Sequence, residues 1–401
     1  MNYKYTDLDF KLADRYVSCV LSMDTLYRKE QSGGDASLAK EGLVPVILSE
    51  FKHQQMEDYA EVRANLKDIY AQYAAAAMNE IRKCYMLEQV QSVINLGDWV
   101  FDKKEYTYRE LVQATLFLNH NTITEHQLDR ERKQMFTLLS DKGYKGNFIE
   151  KFEQWKNDNL VKPGDLQAAL DQMSKETQTL ALNLGFEEVA DVDVKCVVEH
   201  DRPYSGYCDY PGKTIYINGD MEYTYPQLKH LMCHEVHPGH ITHMHIRKLN
   251  YEKGLIPADA ILVITNTASS GVFEGLADNG QLFVGWDKEV DDEIGRIYSN
   301  LTSMTSIKMA HMMHEENVAP DVVKRYFRET LGKNEAAADS KIRFLTFPHR
   351  RPFIYSYWRG NEAVRQIYLN LEKHETWAFL RFAYHNMHSV NSISQFLSWG
   401  M

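Results

Sequence analysis

The sequence predicts a mainly α-helical protein with a small β-strand or hairpin element beside one central helix. Three observations predict it. Apolar residues recur at three and four positions through the first half, as at Leu43, Ile47 and Phe51, then Tyr59, Val62, Leu66, Ile69, Tyr70 and Tyr73. Strand-like alternation is confined to Val192–Val198 and Lys213–Ile217. The chain has 401 residues, 44% of them hydrophobic and 12% aromatic, ample for a folded core and unlike a disordered chain.

Taken in order, residues 8–30 read as a helix that stops at Ser32-Gly33-Gly34-Asp35, with Asp35 or Ser37 able to cap the next helix. Helical spacing runs from about 38 to 97, interrupted only by Pro45. It resumes from Tyr106 to Leu139 and breaks at Gly143-Tyr144-Lys145-Gly146. Asp165–Leu184 reads as a helix entered after Pro163-Gly164, with Asp165 as its cap. In the first strand Val192, Val194, Cys196 and Val198 alternate with Asp193 and Lys195, which suits a half-buried strand. Helices return after residue 221: one around His234, one around Glu274, and others near 288–316, 319–331 and 360–385. No repeat or low-complexity linker appears. The expected organisation is a helical region 1–185 and a catalytic region 186–401, joined in one continuous compact body.

Composition narrows the function classes. A net charge of −11 argues against non-specific binding to nucleic acid or to an anionic membrane surface. No apolar run approaches the roughly 20 residues that span a bilayer, and the first residues show no secretory signal. Cys19, Cys84, Cys196, Cys208 and Cys233 are odd in number and lack zinc-ribbon or redox spacing, so a cytoplasmic location is expected. Cys233 reads first as a small buried hydrophobe and second as a reactive thiol.

The chemistry concentrates in Cys233-His234-Glu235-Val236-His237-Pro238-Gly239-His240, followed downstream by Phe273-Glu274-Gly275. A His-Glu pair, a further His and a later Glu supply a two-His, one-carboxylate zinc site with a carboxylate base beside it. On a regular helix His237 lies roughly 60° from His234, and His240 roughly 240°. Pro238 and Gly239 intervene, and a kink, bulge or break there would allow His240 to return beside His234. The residues alone leave two ligand pairs open, His234 with His237 or His234 with His240.

The segment Tyr210-Pro211-Gly212-Lys213-Thr214-Ile215-Tyr216-Ile217-Asn218-Gly219, the string His234-Glu235-x-x-Pro238-Gly239-His240 and then Glu274-Gly275-x-Ala277 together resemble the bacterial domain-of-unknown-function 885 family. The likeness runs from about Pro211 to Gly360 and implies a large helical zincin-like metallopeptidase body. It implies zinc on His234, His240 and Glu274, with Glu235 as the base. It favours Tyr357 and His314 among the candidate oxyanion donors Tyr355, Tyr357, His314 and Arg343. The chain departs from the family at Leu276, at Ala310 and at Pro348-His349-Arg350, which implies a kept metal core and a remodelled substrate pocket.

Arg343, Arg350, Arg351 and Arg359 form a local basic run that suits a substrate carboxylate, with Tyr355 beside it. The histidines at 234, 237, 240 and 243 recur every third position, and one or two of them are expected to orient ligands rather than bind metal. His311-x-x-His314 also has helical metal-pair spacing. The expected function is hydrolysis of an amide or peptide bond in a small molecule or short peptide, with one zinc ion and with iron or manganese as alternatives. Two other readings stand beside it. One is a metal-dependent lyase or other non-peptidase enzyme acting on an amino-acid-derived molecule. The other is a non-catalytic metal-binding scaffold.

Overall fold

The computed structural model describes residues 3–30, 42–201, 206–347 and 349–399. The expected break at Ser32–Asp35 and its caps, and Pro348, lie outside them. The chain is mainly helical with small sheets, as the apolar spacing predicts.

In chain order the elements begin with α1 (Asp7–Glu30), β1 (Val46–Ile47), α2 (Tyr59–Ala75), α3 (Glu80–Val100), α4 (Tyr108–Leu116), α5 (Glu125–Asp141), α6 (Phe148–Asp158) and α7 (Leu166–Leu184). Next come β2 (Lys195–Glu199), β3 (Gly206–Asp209), β4 (Thr214–Asn218), α8 (Tyr225–Glu235), α9 (His240–Glu252), β5 (Leu262–Val263) and α10 (Ser270–Asp278). The chain continues through α11 (Gly280–Phe283), α12 (Val290–His314), α13 (Pro320–Leu331), α14 (Glu335–Thr346) and α15 (Ile354–Leu369). It closes with α16 (Thr376–His385), α17 (Val390–Ser394) and α18 (Phe396–Trp399).

Local capping decides where the long helical stretches are cut. The expected helix over 38–97 is instead a short strand followed by two helices. Val46 and Ile47 pair antiparallel with Val263 and Leu262. Asp58 caps α2 by accepting from the Glu61 amide, and Asn79 caps α3 through the Ile81 and Arg82 amides. The Tyr106–Leu139 stretch also divides. Phe117 takes a left-handed conformation at the end of α4, and Thr124 starts α5 with a reciprocal capping box to Gln127. Asp165 stands at the start of α7 but makes no capping hydrogen bond, because a 3₁₀ turn over Pro163–Asp165 already leads into the helix.

By internal contacts the chain forms two compact units that interleave along the sequence. The first comprises Met1–His120, His243–Gly275 and Arg359–Met401; the second comprises Asn121–Thr242 and Leu276–Trp358. Three of the crossings fall inside continuous helices, namely α9, α10 and α15.

In the first unit, α1 packs on α2 and α3 through fully buried Tyr16, Val17, Val20, Ile69 and Tyr73. Arg82 is buried there between Asp9 and Asp259, at 3.0 and 2.7 Å. Helix α15 approaches α10 where both carry glycine. An added Cβ at Gly360 would lie 1.9 Å from the Gly271 carbonyl oxygen, and one at Gly275 would lie 2.4 Å from that of Gly360. Only glycine permits that approach, which fixes the helix bearing Glu274.

In the second unit, α12 packs against α5, α8 and α13. Beside α8 lies a three-stranded sheet of order β2-β4-β3. Strand β2 runs parallel to β4, Lys195 opposite Thr214, and β3 runs antiparallel to it, Gly206 opposite Ile217. Ile215 and Ile217 of β4 are fully buried. The expected strands are present as β2 and β4, while the edge strand β3 adds to them.

Candidate metal centre

The local sequence builds this centre from a helix that ends early. Thr224 starts α8 with a capping box to Gln227, and Pro226 sits in its first turn, where its missing amide hydrogen is harmless. The helix ends at Glu235, and Val236–Gly239 form a turn containing a cis His237–Pro238 bond before α9 begins at His240. Gly239 passes so close to α8 that an added Cβ would lie 1.8 Å from the His234 carbonyl oxygen and 2.4 Å from that of Cys233. Replacing Gly239 with Ala is therefore expected to force the turn open, at about 3 kcal/mol of overpacking. Thermal unfolding and zinc titration of Gly239→Ala should show both the lost stability and weaker zinc binding.

The break carries His240 back to His234. Their rings meet edge to face at a centroid distance of 4.6 Å. Glu274 is buried on α10, one turn before Asp278 on the same continuous helix. One ligand atom each from His234, His240 and Glu274 lie within 4.8 Å of one another. Two imidazoles and a carboxylate so grouped are a donor set that could hold a divalent cation.

Asp278 orients His234. His234 Nδ1 lies 2.8 Å from Asp278 Oδ1. An ionised carboxylate only accepts, so Nδ1 carries the proton and Nε2 keeps its lone pair for a cation. Burial would raise the Asp278 carboxyl, but hydrogen bonds from His230 and His234 outweigh it and hold the group well below the usual carboxylate range.

Glu235 is buried at the end of α8, directly after His234. Burial raises its carboxyl above the ordinary value, against the pull of His234. Strand β3 runs beside it. An added Cβ at Gly206 would lie 3.7 Å from Glu235 Oε1, and burial, then the Glu235 charge, push the Cys208 thiol well up.

Of the two ligand pairs open in sequence, His234 with His240 is the one that joins a three-ligand group among the described residues. His237 is buried, with Nδ1 2.8 Å from Thr242 Oγ1, a bond that spans the turn. His243 packs between Phe273 and Tyr384. Cys233 is buried, and burial holds its thiol protonated, as a packing residue requires.

The later candidates have other surroundings. His314 Nε2 bonds the Leu345 carbonyl at 2.8 Å, tying α12 to α14, and burial holds this imidazole below its usual pKa. Tyr355 is fully buried on α15. Tyr357 meets Phe353 edge to face, Arg350 lies over the Phe353 ring, and Arg343 is exposed on α14. Arg359 is buried and paired with Glu362 at 2.9 Å. Sequence reading missed His230 and Asp278. The signal for each was a spacing of four, back from His234 and on from Glu274.

No family model matches the chain, and no curated protein does. Among solved structures, a protein from Colwellia psychrerythraea provisionally described as a lipoprotein matches with a TM-score of 0.54 at 14% identity, over 93% of this chain. The chain spans 65% of that structure's length. A protein of unknown function from Shewanella oneidensis, also provisionally described as a lipoprotein, matches with a TM-score of 0.53 at 15% identity, over 84% of this chain and 71% of its own. At these identities the likeness shows the fold alone.

Two expectations are corrected. The resemblance to the domain-of-unknown-function 885 family does not hold: the structural neighbours are provisionally described as lipoproteins, and no family model supports that assignment. The matching strings are short and specify a local geometry, while the elements that would extend them depart at Ala310 and His349-Arg350. The expected cytoplasmic location falls with the same neighbours. It rested on unpaired cysteines and on the first residues. All five thiols are free, but that reports only that none is paired, not a compartment. No described helix is long and apolar enough to cross a membrane.

Proposed function

We propose that the chain is a metal-dependent hydrolase that cleaves an amide or peptide bond in a small or extended substrate. The observation that carries this reading is the convergence of His234, His240 and Glu274 across a helix break, with buried Glu235 next to the first of them. A helix bearing His234, the adjacent Glu235 and strand β3 alongside support this reading.

Zinc, when bound there, supplies a Lewis acid and brings the pKa of a water toward neutrality. His234 and His240 would hold it through ring nitrogens and Glu274 through a carboxylate oxygen. Asp278 keeps the His234 proton on Nδ1, which fixes the ring's tautomer and direction. Glu235 accepts a proton from the attacking water and returns it to the leaving amine. Burial raises its carboxyl above the ordinary value, the direction a proton-carrying base needs. Tyr357 is the donor assigned to the developing oxyanion, and His314, committed to Leu345, holds α14 in place. The arginines near 350 are assigned to a substrate carboxylate.

Strand β3 supports an extended peptide as substrate. It is the edge of its sheet, and it passes Glu235, so a peptide adding to that edge would run by the base.

The test is a panel of short peptides and aryl amides incubated with zinc-loaded protein. Hydrolysis that disappears on chelation and returns with zinc is expected. A panel untouched by protein of full zinc content would contradict the reading.

A further inference from the structure

A second two-His, one-carboxylate group lies next to the first. His230 and His234 are four residues apart on α8, so their side chains share a face of that helix. Asp278, on α10, meets both. His234 Nδ1 is 2.8 Å from its Oδ1, and His230 Nε2 is 3.5 Å from the same oxygen. One ligand atom from each of the three lies within 4.8 Å of the others. Ligands bound at 2.0–2.1 Å in tetrahedral geometry sit about 3.3 Å apart, and the two measured separations bracket that value. All three residues belong to one compact unit.

His234 meets Asp278 at close range, while His230, at 22% exposure, reaches the same oxygen from a longer distance. A cation among the three would engage both imidazoles and the carboxylate at once.

We propose that His230, His234 and Asp278 form a second, weaker divalent-cation site that shares His234 with the first. His234 then serves both groups, Nε2 facing His240 and Glu274, and Nδ1 facing His230 and Asp278. The proton that Nδ1 otherwise donates to Asp278 leaves to solvent when the second cation enters. Two features make this site the weaker. It must displace that proton, and His230 and Asp278 are 22% and 12% exposed, whereas His240 and Glu274 are buried.

The experiment is zinc titration of chain already holding its tightly bound zinc, followed calorimetrically for wild type, His230→Ala, His230→Gln and His240→Ala. Far-UV circular dichroism confirms folding of each. The expected result is a second, weaker equivalent in wild type, absent from both His230 variants, which keep the tight one. His240→Ala should lose the tight equivalent. A wild type that takes up no second equivalent, or His230 variants that take it up unchanged, would overturn the second site and leave the first standing. A wild type that binds no zinc at all would overturn both.

Discussion

Glu235→Gln is expected to lower turnover by about a hundred- to ten-thousand-fold while leaving tightly bound zinc unchanged. Glutamine keeps the shape of the side chain but cannot take a proton from water. The residue sits beside a proposed ligand without joining the ligand group, so metal content has no reason to fall. Paired assays of peptide hydrolysis and zinc content on the same preparation check it. A variant that loses zinc together with activity would place Glu235 in the ligand set. A variant that keeps full activity would remove it from the reaction.

The largest stability effect is expected at Arg82. Its guanidinium is almost fully buried and bonds Asp9 from α1 at 3.0 Å and Asp259 at 2.7 Å. The Asp9 carboxylate also accepts from the Tyr73 hydroxyl at 3.0 Å. Removing the cation strands two buried carboxylates, so Arg82→Ala should destabilise by about 3–5 kcal/mol. Burial alone would lower the Arg82 pKa, but the Asp259 and Asp9 carboxylates outweigh it and raise it well above its ordinary value. Urea unfolding of wild type and variant measures the difference. A loss below about 1 kcal/mol would show that water or rearranged partners compensate the two carboxylates.

The sequence made much of the fold legible, because helix periodicity and chain-breaking residues act locally. The spacing through Val62, Leu66, Ile69 and Tyr73 describes the buried face of α2. Pro238 and Gly239 signalled the break that returns His240 to His234. The bend itself needed the close pass of Gly239 over the His234 carbonyl, a three-dimensional fact. Helix starts were less visible, since Asp58, Asn79 and Thr124 act through local side-chain hydrogen bonds with residues two or three positions on. Strand β3 has four residues, too few for alternation to stand out.

Among the candidate site residues, His234, Glu235, His240 and Glu274 stood out in the sequence because metal chemistry restricts the residue types. Asp278 was not, because an aspartate four residues past a glutamate on a helix is ordinary, and only its approach to His234 gives it a role. The glycines at 271, 275 and 360 were likewise silent until the helices that carry them were seen to approach. A short motif that resembles a known family's did not establish membership of it, since no family model matches the chain.

The most direct test of the metal centre is elemental analysis of protein purified without chelator or affinity-tag metal, with wild type and His240→Ala measured side by side. About one tightly held zinc per wild-type chain, and none in the variant, is the expected result. Zinc absent from wild type even after reconstitution, or retained in full by His240→Ala, would contradict it.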